Sequence, residues 1–174
     1  RAFLAGPAGG GPRLCGAGAG GGRRGKRSGP ESPIRQGVPG SGALGPDGTI
    51  YVCGLNTNQQ SILTAINHAN GQIKWQFVVG PFRPCNAPAV VEDGTIFTTI
   101  PPPLNTQLAV IVAVNSDGTE KWRHEEGNIS TTPPALSNDE SQVYVGFSID
   151  IKSFNASTGQ VLWTRNVPLF PFLI

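Results

Sequence analysis

All three tryptophans of this 174-residue chain stand four residues after a glycine, in three copies of one block. The copies span 65–75, 113–122 and 153–163, with Gly71, Gly118 and Gly159 preceding Trp75, Trp122 and Trp163. A second block returns with them: Asp47-Gly48-Thr49-Ile50-Tyr51, then Asp93-Gly94-Thr95-Ile96-Phe97, then Asp139-Glu140-Ser141-Gln142-Val143-Tyr144. Its aspartates, at 47, 93 and 139, are 46 residues apart, and the third copy is one residue longer before its aromatic. Self-similarity at a period of about 20–50 residues marks an array of supersecondary units, each of which needs a neighbour to bury its apolar face.

The local chemistry of each unit is that of β-hairpins. Asp-Gly ahead of Thr-Ile-Tyr is a tight-turn signal, because glycine adopts positive φ without steric cost. Thr49–Val52 and Thr95–Thr98 are β-branched and aromatic runs that favour strands. Leu108–Val114 is a continuous apolar run of the kind found in a strand buried on both faces. The second unit therefore predicts four short strands, at 88–91, 95–100, 108–114 and 119–123. No amphipathic helix of twelve or more residues is expected. No apolar run approaches the roughly 20 residues of a membrane-spanning helix.

The remainder of the chain has a different composition. Residues 1–42 carry seven Lys/Arg against one acid, Glu31, and 14 of the 24 glycines; residues 43–174 carry six Lys/Arg against ten Asp/Glu. The overall charge of +2 thus hides a basic segment of about +6 and an acidic one of about −4. Few β-branched or aromatic side chains occur before residue 43, so this segment cannot offset a backbone ordering cost of about 1–2 kcal/mol per residue and is expected to be disordered. Its basic run, Gly22–Arg27, is not interleaved with aromatics that could stack on bases, which argues against nucleic acid as a partner. Gly16–Gly21 satisfies GxGxxG, but neither the preceding strand nor the following helix of a phosphate site is there. An N-terminus rich in Arg and Ala and poor in acids points toward an organelle or secretion. The chain contains no Met, so a fragment or a processed product is expected.

Four strands in about 46 residues with one tryptophan slot describe a propeller blade. The Trp-Asp ending of a WD40 blade is absent. The pattern instead resembles the pyrroloquinoline-quinone (PQQ) repeat, whose block reads Ala-x-Asp-x-x-Thr-Gly-x-x-x-Trp. This chain departs from it with Asn67, Asn115 and Asn155 in the Asp position, and only Thr158-Gly159 keeps the Thr-Gly pair. The resemblance implies an all-β fold: a partial β-propeller of about three four-stranded antiparallel blades following a disordered N-terminal segment. The blades are expected at about 43–86, 87–132 and 133–166, with 167–174 an apolar tail or the start of a further blade. Three blades leave open sheet faces, so the chain is expected to be part of a longer protein.

Within that frame Trp75, Trp122 and Trp163, with Gly71, Gly118 and Gly159, are read as structural blade-docking residues. A tryptophan wedged between blades, burying about 200 Å² at about 25 cal/mol/Å², contributes up to ~5 kcal/mol. PQQ enzymes, as the resemblance implies, use an adjacent Cys pair, a stacking Trp, calcium ligands and an Asp base. No two of Cys15, Cys53 and Cys85 are adjacent and no Trp is spare, so no catalytic, cofactor-binding or metal-binding residue is assigned. Two histidines, His68 and His124, cannot build a His-rich metal site. Cys53 is expected as a buried free thiol and Cys85 as an exposed one in an interblade loop, with a disulfide between them open in an oxidising compartment. Glu125-Glu126 reads as a solvated interblade loop. Asn128-Ile129-Ser130 and Asn155-Ala156-Ser157 satisfy the glycosylation rule. The expected function is a non-catalytic binding or scaffolding module, its partner a protein or the remaining blades of the same chain. The alternative is a fragment of a PQQ-dependent quinoprotein dehydrogenase, with PQQ and calcium bound in blades outside this chain.

Overall fold

The computed structural model describes residues 42–102, 108–127 and 130–167. The basic segment, Cys15, Asn128 and the apolar tail from residue 168 lie outside them. The described residues form twelve strands and no helix. Blade 1 comprises β1 (Gly42–Leu44), β2 (Ile50–Leu55), β3 (Gln60–Ile66) and β4 (Ile73–Pro81). Blade 2 comprises β5 (Ala89–Val90), β6 (Ile96–Ile100), β7 (Leu108–Val114) and β8 (Glu120–Gly127). Blade 3 comprises β9 (Ala135–Leu136), β10 (Gln142–Phe147), β11 (Asp150–Asn155) and β12 (Val161–Asn166). Each is a four-stranded antiparallel meander with strands paired in chain order. The first strand of the chain begins at Gly42, one residue ahead of the expected boundary.

Turn chemistry explains the meander. Gly48, Gly71, Gly94, Gly118 and Gly159 all take positive φ, between 72° and 90°, at the tight turns. In the third blade Glu140 occupies the slot of Gly48 and Gly94, at φ 57°. An L-residue is disfavoured there, but the Glu140 carboxylate accepts a hydrogen bond from the Glu92 backbone N–H in blade 2, at 2.8 Å. Asn67 and Asn155 stand where the repeat has Asp and still form the Asx turn: Asn67 Oδ1 accepts from Ala69 N–H, and Asn155 Oδ1 from Ser157 and Thr158 N–H. An amide oxygen serves this purpose as a carboxylate would.

The core lies between blades. Period-two alternation divides the apolar runs of β6 and β7. Ile96, Ile100, Val112 and Val114 pack on Tyr51, Cys53, Leu63 and Val79 of blade 1. Phe97, Ala109, Ile111 and Ala113 pack on Val143, Val145, Phe147 and Phe154 of blade 3. The inner strands of the central blade therefore bury apolar side chains on both faces, and β7 reads as an unbroken hydrophobic run.

Two local expectations are corrected. Cys53 and Cys85 are joined in a disulfide, with Cα atoms 5.3 Å apart. Cys85 is 4% exposed rather than on the surface, because the chain between β4 and β5 folds back over the end of blade 1. Glu125 and Glu126 belong to strand β8, not to a loop. The strand runs four residues beyond Arg123 because Ala109 and Val110 continue to pair with them.

Candidate functional site

A row of three side chains crosses each blade in register: Tyr51, Ala65 and Trp75; Phe97, Ala113 and Trp122; Tyr144, Ser153 and Trp163. The small middle residue lets the aromatics on either side approach, and in all three rows the ring centroids are 5.8 Å apart. The Trp75 indole lies over the Gly118 turn of blade 2, so closely that a Cβ on Gly118 would stand 2.8 Å from its ring. Its N–H donates to Ser116 O at 2.9 Å. Trp122 repeats the arrangement on blade 3, with 2.6 Å from a Cβ on Gly159 and an N–H bond to Ala156 O at 2.8 Å. Such approach admits only glycine. Trp163 faces away from both junctions and is 39% exposed. A Cβ on Gly71 would meet nothing within 4 Å among the described residues.

The acids of the turns are held by the blades themselves. Asp47 accepts from the Thr49 N–H and hydroxyl and from Lys74 Nζ. Asp93 is held in the same way by Thr95 and Lys121. Hydrogen bonds from Thr49, joined by Lys74, push the Asp47 carboxyl down to about 2. The Thr95 hydroxyl lowers Asp93 as well. These lysines immediately precede Trp75 and Trp122, a pairing that the spacing offers but that composition and turn signals do not single out. The third blade has Leu162 in that place, 46% exposed, and its Asp139 is held by Ser137 and Ser141 instead. Because the folded pKa of Asp47 lies below its unfolded value near 3.9, its contribution is complete above about pH 4 and is lost as pH falls toward 2. The stability difference between wild type and Asp47→Asn, followed by urea titration, should therefore shrink steadily as pH falls from about 4 through 2.

Between blades 2 and 3, burial pushes the Glu126 carboxyl up, but hydrogen bonds from Lys152 and His124 outweigh it and hold it below its ordinary value. Lys152 Nζ is 2.9 Å from it, and the His124 ring lies edge-on to Phe154 at 5.1 Å. Nearer the chain entry to each blade, Asn86 Nδ2 donates to Thr99 Oγ1 and to Thr131, while Thr99 Oγ1 donates to Thr132 O. A cavity of about 400 Å³ opens between blades 2 and 3 beside Glu92, Asp93, Lys121 and Glu140. Among the described residues no three His, Cys, Asp or Glu side chains are grouped to hold a metal ion.

The two ends of the sheets differ. One carries the tight Asp-Gly and Asn-Gly turns. The other carries the second-to-third strand hairpins and the interblade connections, where Phe82 is 59% exposed and Ile149 65%; at the tight-turn end Leu44 is 70% exposed. Phe82 also sits at φ 63°, with Gln59 beside it at φ 59° and accepting its N–H. A bulky residue in this conformation stores about 1–3 kcal/mol of strain. Beside Ile149, Ser148 Oγ and Asp150 Oδ1 are buried without hydrogen-bond partners among the described residues.

Two solved structures share the fold. A protein of unknown function from Bacteroides caccae superposes with a TM-score of 0.53 at 14% identity, over 75% of this chain and 47% of its own length. Dihydro-heme d1 dehydrogenase NirN, in complex with DHE, superposes with a TM-score of 0.60 at 14% identity, over 76% of this chain and 30% of its own. The chain thus spans less than half of either. No curated protein matches it. The family described as outer membrane protein assembly factor BamB matches residues 16–172. With three meander blades joined by one tryptophan slot, the chain belongs to that PQQ-like β-propeller family.

Proposed function

We propose that the chain acts as a non-catalytic binding or scaffolding module for a protein partner. The observation that carries this reading is the exposed pair Phe82 and Ile149 on the loop-bearing end of the blades, with Phe82 held in a strained conformation. Exposed apolar side chains on loops fixed by a rigid sheet are the usual material of a recognition surface. The acids support the same reading. Asp47, Asp93, Asp139 and Glu126 are all held below their ordinary pKa, which suits turn and junction bonds and not proton donation near neutrality. The match to an assembly factor is consistent with a partner that is itself a protein. The Cys53–Cys85 disulfide and the acid-poor N-terminus favour an oxidising compartment or an organelle.

The test places a photo-crosslinking residue at position 149 in cells, with position 70, on the opposite end of the blades, as control. Adducts of one defined protein at 149, absent at 70 and lost in Phe82→Gly, would support the reading. The Phe82→Gly variant should keep its melting temperature within about 3 °C, since relief of strain and the added backbone entropy nearly cancel. Saturable quenching of the indoles by PQQ with calcium, together with quinone-dependent dye reduction, would overturn it.

A further inference from the structure

The connection between β4 and β5 is held in place by very little apolar burial. Between Val79 and Pro88, Cys85 is the one buried residue; Pro81, Phe82 and Pro84 are exposed, and Arg83 and Asn86 are half-buried. Such a segment does not offset its ordering entropy by packing. Bonds fasten it instead. Phe82 N–H donates to Gln59 O of blade 1 and Asn86 N–H to Thr99 O of blade 2, each at 2.8 Å. The Asn86 carbonyl accepts from the Thr98 hydroxyl, and its Nδ2 reaches Thr131 Oγ1 at the entry to blade 3. One covalent link anchors the segment, from Cys85 to Cys53 of β2. Against that link works the strain of Phe82 at φ 63°, which release of the segment relieves.

We propose that the Cys53–Cys85 disulfide is a redox latch on this connection, opened by a dithiol reductant, and that it governs whether Phe82 is presented. This deepens the binding-module reading and rests on it. Cys85 is 4% exposed and Cys53 0%, so the incoming thiolate attacks Cys85 Sγ and Cys53 leaves as the thiolate. The second thiol of the reductant then attacks the mixed disulfide and releases Cys85. Two electrons pass to the pair, two protons end on its sulfurs, and the reductant leaves as a disulfide. The Thr98 hydroxyl stands 3.5 Å from Cys53 Sγ; once Asn86 has moved away, it is free to donate to the departing sulfur. Without the latch the connection keeps one small buried side chain and a strained neighbour, and it leaves the blade ends. Phe82 goes with it, and Asn86 gives up Thr131. The remaining members of the two core clusters stay packed. Binding is thereby confined to the oxidised chain.

Hydrogen exchange on the 174-residue chain, before and after dithiothreitol in native buffer, tests the latch, with alkylation and peptide mapping to verify that Cys53 and Cys85 are reduced. The amides of Phe82, Arg83 and Asn86 should exchange about 10-fold or more faster in the reduced chain, while β6 and β7 stay within about twofold. In Asn86→Ala with the disulfide intact, the Phe82 amide should remain protected, because the covalent link remains. The position-149 crosslink, repeated on cells given the same reagent, reads the consequence. Adduct yield should fall about 10-fold, as when the competent state becomes a minor one. Equal exchange in both states would overturn the latch. So would a reduction that loosens β6 and β7 as much as the connection, or a bond that resists the reagent until the chain unfolds. Opening in Asn86→Ala would overturn it too, by assigning the hold to the hydrogen bonds. Adducts that persist at full yield after opening would overturn the regulatory claim. No adducts in either state would overturn the binding reading instead, with the exchange result deciding the latch.

Discussion

Trp122→Ala should destabilise the protein by about 3–5 kcal/mol, the usual cost of truncating a large aromatic, here a half-buried one packed against the core between blades 2 and 3. For a folded region of this size that corresponds to a fall of about 10–20 °C in melting temperature. The magnitude follows from what the ring touches. It lies 5.8 Å from Phe97 within its own blade and 6.2 Å from Phe154 in the next. It covers Gly159 and donates to Ala156 O. Removal opens a cavity and leaves the turn carbonyl of blade 3 without its donor. Trp122→Phe, which keeps an aromatic but lacks the N–H, should cost less, about 1–2 kcal/mol. Calorimetry on both variants checks the account. Equal losses in the two would mean that the ring contributes no packing across the junction.

Loss of the Cys53–Cys85 bond is the second large effect. It closes a loop with a sequence separation of 32, for which chain entropy gives about 3–4 kcal/mol. The bond ties strand β2, at the heart of blade 1, to the connection that enters blade 2. Both sulfurs lie in the core cluster with Tyr51, Val79 and Ile96. Cys53→Ala with Cys85→Ala should lower the urea midpoint accordingly, and added reductant should shift wild type toward the double variant but not shift the double variant itself. A reductant effect of equal size on the double variant would locate the sensitivity elsewhere.

The repeat made the architecture legible because each copy carries its own punctuation. Asp-Gly and Asn-Gly pairs fix where strands turn, and the run 108–114 shows by its lack of alternation that blade 2 is covered on both faces. Strand ends were less legible. Nothing in His124-Glu125-Glu126 resembles a strand, and only the partner residues on β7 carry it to Gly127. The disulfide was not legible either, since spacing cannot report that residue 85 folds back onto residue 53. Lys74 and Lys121 could have been found from their fixed position one residue before a tryptophan. Phe82 could not, because its positive φ comes from the path of the interblade connection, not from its side chain. Gly71 and Gly159 read alike as letters; only the neighbours distinguish a covered turn from an open one.

The two-sided middle blade has a mechanical corollary. Detaching blade 3 would put Phe97, Ile111 and Ala113 in contact with solvent, and detaching blade 1 would do the same to Ile96, Val112 and Val114. Neither outer sheet can peel away without wetting half of the middle one. Melting is thereby coupled along the row of blades, and heat should register as a single sharp collapse instead of a staircase of separate losses.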